Sequence, residues 1–221
     1  MQLTIFAATG GIGRQLVEQA LVEGHDVTAV ARNPRGLGGV ARVVTADLSA
    51  PDPAVLRDAV AGADAVLSGL GPRTRAEAGV AGTGTRAIAA AMHDTGVRRI
   101  VVVSAAPMGT FPTPANPRPP RFDPGDGFFM RHLFAPFAKA SFRPVYEDLA
   151  VLEDVLRDSG LDWTIVRPPR LTDKPLTGVY RTAHGRNIRG GWLVPRADVA
   201  HYMLRTLRDP GTVKQIMGIA T

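Results

Sequence analysis

Cysteine is absent from the 221-residue chain. Its absence excludes disulfides, a thiol nucleophile, thiolate zinc sites and Cys-ligated iron–sulfur clusters. It also fits a reducing compartment, and a cytoplasmic location is expected. Lysine is nearly absent, confined to Lys139, Lys174 and Lys214. The five histidines (His25, His93, His132, His184, His201) never fall at a metal-ligand spacing, so no metal is expected. No run of ~20 apolar residues occurs, so no membrane span is expected. The opening Met1-Gln2-Leu3-Thr4-Ile5-Phe6 has no basic leader and no cleavage site, which predicts no secretory signal.

What is present is ordinary globular composition. A chain of this length buries roughly 70% of its unfolded surface without staples. One domain over residues 1–221 is therefore expected. The 26 basic residues outnumber the 20 acidic ones, giving +6 and a pI near 10.4. That balance attracts an anionic ligand or nucleic acid, or it is a solvated surface with biased arginine usage. The arginines are scattered and form no basic block, so no nucleic-acid partner is expected.

The first half alternates short apolar runs with helical patterns. Strands are predicted at Leu3–Ala7, Val27–Ala31, Ala41–Ala46, Ala65–Ser68 and Arg99–Ser104. Between them fall helices at Gly11–Glu23, Pro53–Val60 and Thr83–His93. Strands alternating with helices of this length predict an α/β fold. It is a Rossmann-like, doubly wound parallel sheet with helices on both faces. After a break, a helix is predicted at Pro144–Asp158 and a strand at Trp163–Val166. Val179–Arg181 and Trp192–Val194 could pair as short strands. Asp198 is expected to cap a helix running to Leu207, before a last strand at Gln215–Ile219.

The break, 106–143, is a Pro/Phe-rich insert. Seven prolines from Pro107 to Pro124 argue for disorder in its first half. Its second half places Phe129, Met130, Leu133, Phe134 and Phe137 on one helical face, beside Phe128. That face must bury against something, so the insert is expected to be a lid over the ligand end of the sheet, with a dimer contact or simple packing on the domain's flank as the competing readings.

The first strand runs into Ala8-Thr9-Gly10-Gly11-Ile12-Gly13 and then a helix. Backbone N–H groups at such a helix start can receive a pyrophosphate, and small residues let it approach closely. The pattern is Ala7-x-x-Gly10-x-x-Gly13, with alanine where a first glycine is expected. A purely structural strand–helix corner would look the same. NAD enzymes usually end the second strand with an acid that holds the ribose 2′-hydroxyl. Here Arg32 takes that place and Arg35 follows. Guanidinium groups suit a 2′-phosphate, so the cofactor expected is NADP(H). Asp47, ending the third strand, could bond the adenine amino group or be a turn aspartate.

Several motifs together resemble a known family. They are Ala8-Thr9-Gly10-x-x-Gly13, Arg32, Ala46-Asp47-Leu48, Leu70-Gly71-x-Arg73, Val103-Ser104-Ala105, Ser159-Gly160-Leu161, Pro168-Pro169, and Asp173-x-Pro175-Leu176-Thr177-Gly178-x-Tyr180. The chain resembles the atypical short-chain dehydrogenase/reductase family with an NAD(P)H-binding domain. Within that family it is most similar to flavin reductases of the biliverdin reductase B type. The resemblance covers residues 1–108 and about 145–210 and leaves out the insert. It implies that Thr9, Gly10, Gly11 and Ile12 line the pyrophosphate and that Arg32 holds the 2′-phosphate. Asp47 and Leu48 would flank adenine. Leu70, Gly71 and Arg73 would run along the cofactor, Ser104 would stand beside the nicotinamide, and Pro168 would join the cofactor-binding set. Two positions depart from the relatives: Ala7 replaces their first glycine, and Arg170 replaces the histidine after the Pro-Pro pair.

Short-chain dehydrogenases that interconvert alcohols and carbonyls use Tyr-x-x-x-Lys, whose lysine lowers the tyrosine pKa. Here Tyr146 is followed four residues later by Ala150. Tyr146 is then either a packing residue or a proton donor without its lysine. A flavin acceptor makes fewer demands, because solvent can supply the proton. Ser104, at a strand end, could hydrogen-bond a substrate or the carboxamide, and Arg170 could hold an acidic substrate group. The expected activity is NADPH-dependent hydride transfer to a flat aromatic acceptor such as FMN or a quinone, by a monomer or homodimer. The alternatives are a non-catalytic NADP(H)-sensing regulator, and a pathway-specific quinone or ketone reductase or isomerase.

Overall fold

The computed structural model describes residues 1–72, 74–127, 132, 137 and 141–221. The chain runs β1 (Gln2–Phe6), α1 (Gly11–Val22), β2 (Asp26–Ala31), β3 (Arg42–Thr45), α2 (Pro53–Val60) and β4 (Ala65–Ser68). It continues through α3 (Val80–Thr95), β5 (Arg99–Val103), α4 (Arg143–Asp158), β6 (Asp162–Arg167) and β7 (Arg170–Thr172). It ends with β8 (Arg181–His184), β9 (Leu193–Pro195), α5 (Arg196–Thr206) and β10 (Gln215–Ala220).

Among the described residues, eight strands form one sheet in the order β3-β2-β1-β4-β5-β6-β10-β8. Neighbours are parallel throughout, except that β8 runs antiparallel to β10. The strands are apolar on both faces because both faces are covered. Along β1, Leu3 and Ile5 pack into the layer of α1 and α5, whereas Phe6 packs into the layer of α2, α3 and α4. The same alternation places Ala65 and Leu67 on one side of β4 and Val66 on the other. This is the doubly wound Rossmann-like arrangement the alternating pattern predicts. Strand order reverses between β1 and β4, and the crevice at such a switch point is where open α/β sheets take their ligands.

Three expectations need correction. Val179–Arg181 and Trp192–Val194 do not pair with each other: β8 pairs with β10, and β9 pairs in parallel with β7. Pairing of short, distant strands is set by tertiary packing, which local pattern does not report. Asp198 is not the cap of α5, because Pro195 occupies that position. Instead Asp198 is fully buried and accepts hydrogen bonds from Thr177 N, Thr177 Oγ1 and Gly178 N, at 2.7–2.9 Å. It pins the Pro-Leu-Thr-Gly loop to α5.

The proline-rich part of the insert is also tied to the rest of the protein by hydrogen bonds. Thr113 Oγ1 and Ala115 N donate to the Asp154 carboxylate of α4, each at 3.0 Å. Buried Asp123 accepts from Gly125 N and Asn187 N at 2.8 and 2.9 Å. Proline limits regular structure, but these carboxylates satisfy the backbone donors it leaves. Of the apolar face predicted farther on, Phe128, Phe129, Met130, Leu133 and Phe134 lie outside the described residues, and Phe137 is exposed. No helix among the described residues is long and apolar enough to cross a membrane.

Candidate functional site

At the end of β1 the chain turns at once. Ala7 takes φ +55°, a left-handed conformation that favours glycine, at the position where a first glycine is expected. Gly10 N donates to the Ala7 carbonyl at 2.8 Å and closes the turn. Gly13 packs on that same carbonyl so tightly that a Cβ there would lie 2.0 Å from the oxygen. The loop after β4 meets this turn through another glycine: a Cβ on Gly69 would lie 2.9 Å from Gly13 N. The two loops therefore touch backbone to backbone.

The helix that follows starts at Gly11 with Gly10 at its cap, no capping side chain and no acidic residue in its first turn. Its unpaired amides and positive dipole end are open to an anion. They border a cleft of about 970 Å³ lined by Thr9, Gly10, Gly11, Ile12, Arg32, Asp47, Leu48, Leu70, Gly71 and Ser104, among others. Ten of the residues singled out from the sequence are thus brought together along one groove. Gly13 is absent from that lining because its role is to let the turn close beneath. Arg73 lies outside the described residues. Arg35 is exposed and, like Pro168, does not line the cleft.

Charge within the cleft is sparse. The Arg32 side chain is 62% exposed and sits 3.3 Å from Glu77, which also lines the groove. Asp47 Oδ1 accepts from Ser49 N at 2.9 Å and Ser49 Oγ at 2.7 Å. The Ser49 backbone bond, then its hydroxyl, hold the Asp47 carboxyl below its usual pKa. Asp47 is therefore a turn aspartate that also faces the groove.

At the far end Ser104 closes β5. Its hydroxyl lies 2.7 Å from Oε1 of Glu153. Glu153 is fully buried and also accepts from Arg167 Nε at 2.9 Å, Arg167 Nη2 at 2.5 Å and Arg157 Nη2 at 2.8 Å. In that bond the Ser104 hydroxyl donates and the Glu153 oxygen accepts. Toward the cleft the serine oxygen then offers only lone pairs. It can accept a hydrogen bond there, as from a carboxamide N–H, and cannot donate one.

Two of the catalytic candidates lie away from the cleft lining. Tyr146 does not line the cleft; its ring packs against Phe111 at 5.8 Å between centroids. Burial pushes its hydroxyl pKa up, away from neutral-pH proton transfer. Arg170 is exposed on β7 and also lies outside the lining, whereas its neighbour Leu171 is part of it. Strand alternation turns one residue in and the next out. Sequence reasoning missed Arg196, which lines the cleft from the start of α5. An arginine among scattered arginines carries no local signal. Val103, Val145, Leu149 and Leu171 add an apolar wall.

A family model described as NAD(P)H-binding matches residues 7–210. Solved structures with similar folds include a short-chain dehydrogenase/reductase from Veillonella parvula in complex with NADP. It is 18% identical, with a TM-score of 0.76 and coverage of 100% of this chain and 94% of that one. A candidate NADH-flavin reductase from Streptococcus pneumoniae is 24% identical, with a TM-score of 0.75 over 100% and 99% of the two chains. A candidate exported protein from Burkholderia pseudomallei is 26% identical, with a TM-score of 0.74 and full coverage of both chains.

Proposed function

The chain belongs to the NAD(P)H-binding family, and on that footing we propose an NADPH-dependent reductase that passes a hydride to a flavin such as FMN, or to a similar flat conjugated acceptor such as a quinone, as monomer or homodimer. One observation carries the choice of acceptor. The ionisable side chains lining the cleft, among the described residues, are Arg32, Asp47, Glu77 and Arg196. None is the tyrosine, lysine or histidine that an alcohol–carbonyl reaction needs as proton donor. The apolar wall near Ser104 suits a flat ring, and solvent can supply the proton such a ring takes up.

The residues present fit the dinucleotide. The uncapped start of α1 and the small side chains of Thr9, Gly10 and Gly11 would cradle the pyrophosphate. Arg32 would hold the 2′-phosphate, giving up an exposed pairing with Glu77 that is worth little. Asp47 and Leu48 would flank adenine, and Ser104 would accept from the carboxamide N–H, orienting the nicotinamide against the acceptor. When bound, NADPH supplies the hydride.

Arg32→Asp is expected to weaken NADPH binding by roughly 1.5–3 kcal/mol, about one to two decades of affinity, and to leave NADH binding nearly unchanged. Equal losses for both cofactors would remove Arg32 from the 2′-phosphate. The activity itself is tested by following NADPH oxidation with FMN, FAD, riboflavin, quinones and biliverdin as acceptors. Turnover with FMN or a quinone is expected. Tight NADPH binding with no turnover on any of them would point to a dinucleotide-sensing protein and would overturn the reductase reading.

A further inference from the structure

We propose that Arg196 is a pyrophosphate-binding residue, parked on Asp173 until the dinucleotide displaces that carboxylate; this rests on the reading of the cleft as the NADP(H) site. The Arg196 stem lies across the first residue of α1. Its Cδ and Nε are 2.6 and 2.7 Å from where a Cβ on Gly11 would stand. Arg196 thereby lies against the first residue of a helix with no capping side chain, in the same cleft lining as Gly11 and Ile12, where an anion gains from the helix end. Gly11 has ordinary backbone angles and needs no left-handed freedom. Its lack of a side chain is what lets Arg196 reach this place.

The backbone on either side of Arg196 is tied down. Pro195, just before Arg196, pairs with Thr172 across the β7–β9 ladder. Ala197, just after, has its carbonyl bonded by Gln19 Nε2 of α1 at 2.9 Å. Asp198 beyond it is buried and pinned to the Thr177–Gly178 loop. The backbone at 195–198 is thus fixed to both the β7 side and α1, with Arg196 aimed between them.

Its present partner is weak. Arg196 Nη1 lies 2.6 Å from Asp173 Oδ1, but the Asp173 side chain is 89% exposed. A pair with one side so open to water contributes little. A pyrophosphate at the end of α1 offers the same guanidinium stronger, charge-assisted bonds with geometric fit. Asp173 opens the Asp-x-Pro-Leu-Thr-Gly-x-Tyr stretch, and this assigns it a role: it keeps Arg196 extended and ready. The two cleft arginines then divide the ligand. Arg32 reads the 2′-phosphate that distinguishes NADPH, and Arg196 grips the part NADPH and NADH share.

The test is a set of binding titrations on the full chain with NADPH, NADH and adenosine 2′-monophosphate, which lacks the pyrophosphate. Arg196→Ala is expected to weaken NADPH and NADH by a similar factor, roughly ten- to a hundredfold. Binding of adenosine 2′-monophosphate and the ligand-free melting temperature should be unchanged. Arg196→Lys should recover part of the loss, and Asp173→Asn should tighten both dinucleotides by freeing the guanidinium. Unchanged dinucleotide binding in Arg196→Ala would overturn the proposal. So would a loss confined to NADPH, or a fall in melting temperature together with lost adenosine 2′-monophosphate binding. Wild-type protein that binds neither dinucleotide would instead bring down the reading of the cleft, and this proposal with it.

Discussion

Glu153→Leu is expected to lower stability by about 3–5 kcal/mol, the cost of breaking a buried ion pair from one side. Glu153 is fully buried, and the Arg167 side chain that grips it is 7% exposed. Without the carboxylate, the buried Arg167 guanidinium loses its ion-pair partner and the Ser104 hydroxyl loses its acceptor. At ~2–4 °C per kcal/mol for a chain of this size, the melting temperature should fall by about 10 °C. The double variant Glu153→Leu/Arg167→Met should recover most of that, because an apolar pair of similar volume often replaces a buried salt bridge without loss. A single variant within ~1 kcal/mol of wild type would contradict the network. A double variant no more stable than the single would show that the cost lies elsewhere.

Gly13→Ala is expected to abolish dinucleotide binding and to destabilise the fold in the ligand-free state. The added methyl would stand 2.0 Å from the Ala7 carbonyl oxygen and 2.7 Å from its carbon. Both are backbone atoms of the turn, so the turn must open or α1 must shift. Overpacking of this kind costs about 1–3 kcal/mol or more. Gly11→Ala makes the contrast, since its methyl would meet only the flexible Arg196 side chain at Cδ and Nε. Its melting temperature should stay near wild type. If Gly13→Ala binds NADPH normally, the turn is not the rigid floor of the site.

The parts legible in the sequence were those whose determinants are local. The apolar run through Ile5, the glycine turn and the helical face of Ile12, Leu16 and Ala20 lie within one βαβ unit, and the structure reproduces them. Arg32 was readable because the end of β2 has a fixed place beside that turn. The misses are long-range. Arg196 reaches Gly11 from the other end of the chain, and nothing near it marks the meeting. Asp198 looked like a cap because it precedes an apolar helix, but its partners are Thr177 and Gly178, about twenty residues earlier. The prolines from 107 to 124 suggested a loose segment. Hydropathy does not register that Asp123 and Asp154 would satisfy that segment's backbone from inside the protein. Ser104 was found by its position, yet its polarity toward the cleft depends on Glu153, which the sequence does not connect to it.

The central claim is that the cleft at the carboxyl ends of β1, β2 and β4 is a dinucleotide site that selects NADPH. Calorimetric titration of the wild-type chain with NADPH and with NADH, at one ionic strength, tests it directly. One molecule is expected to bind per chain, with NADPH tighter by at least about tenfold, equivalent to roughly 1.4 kcal/mol. NADH binding as tightly as NADPH, or no heat from either, would contradict it.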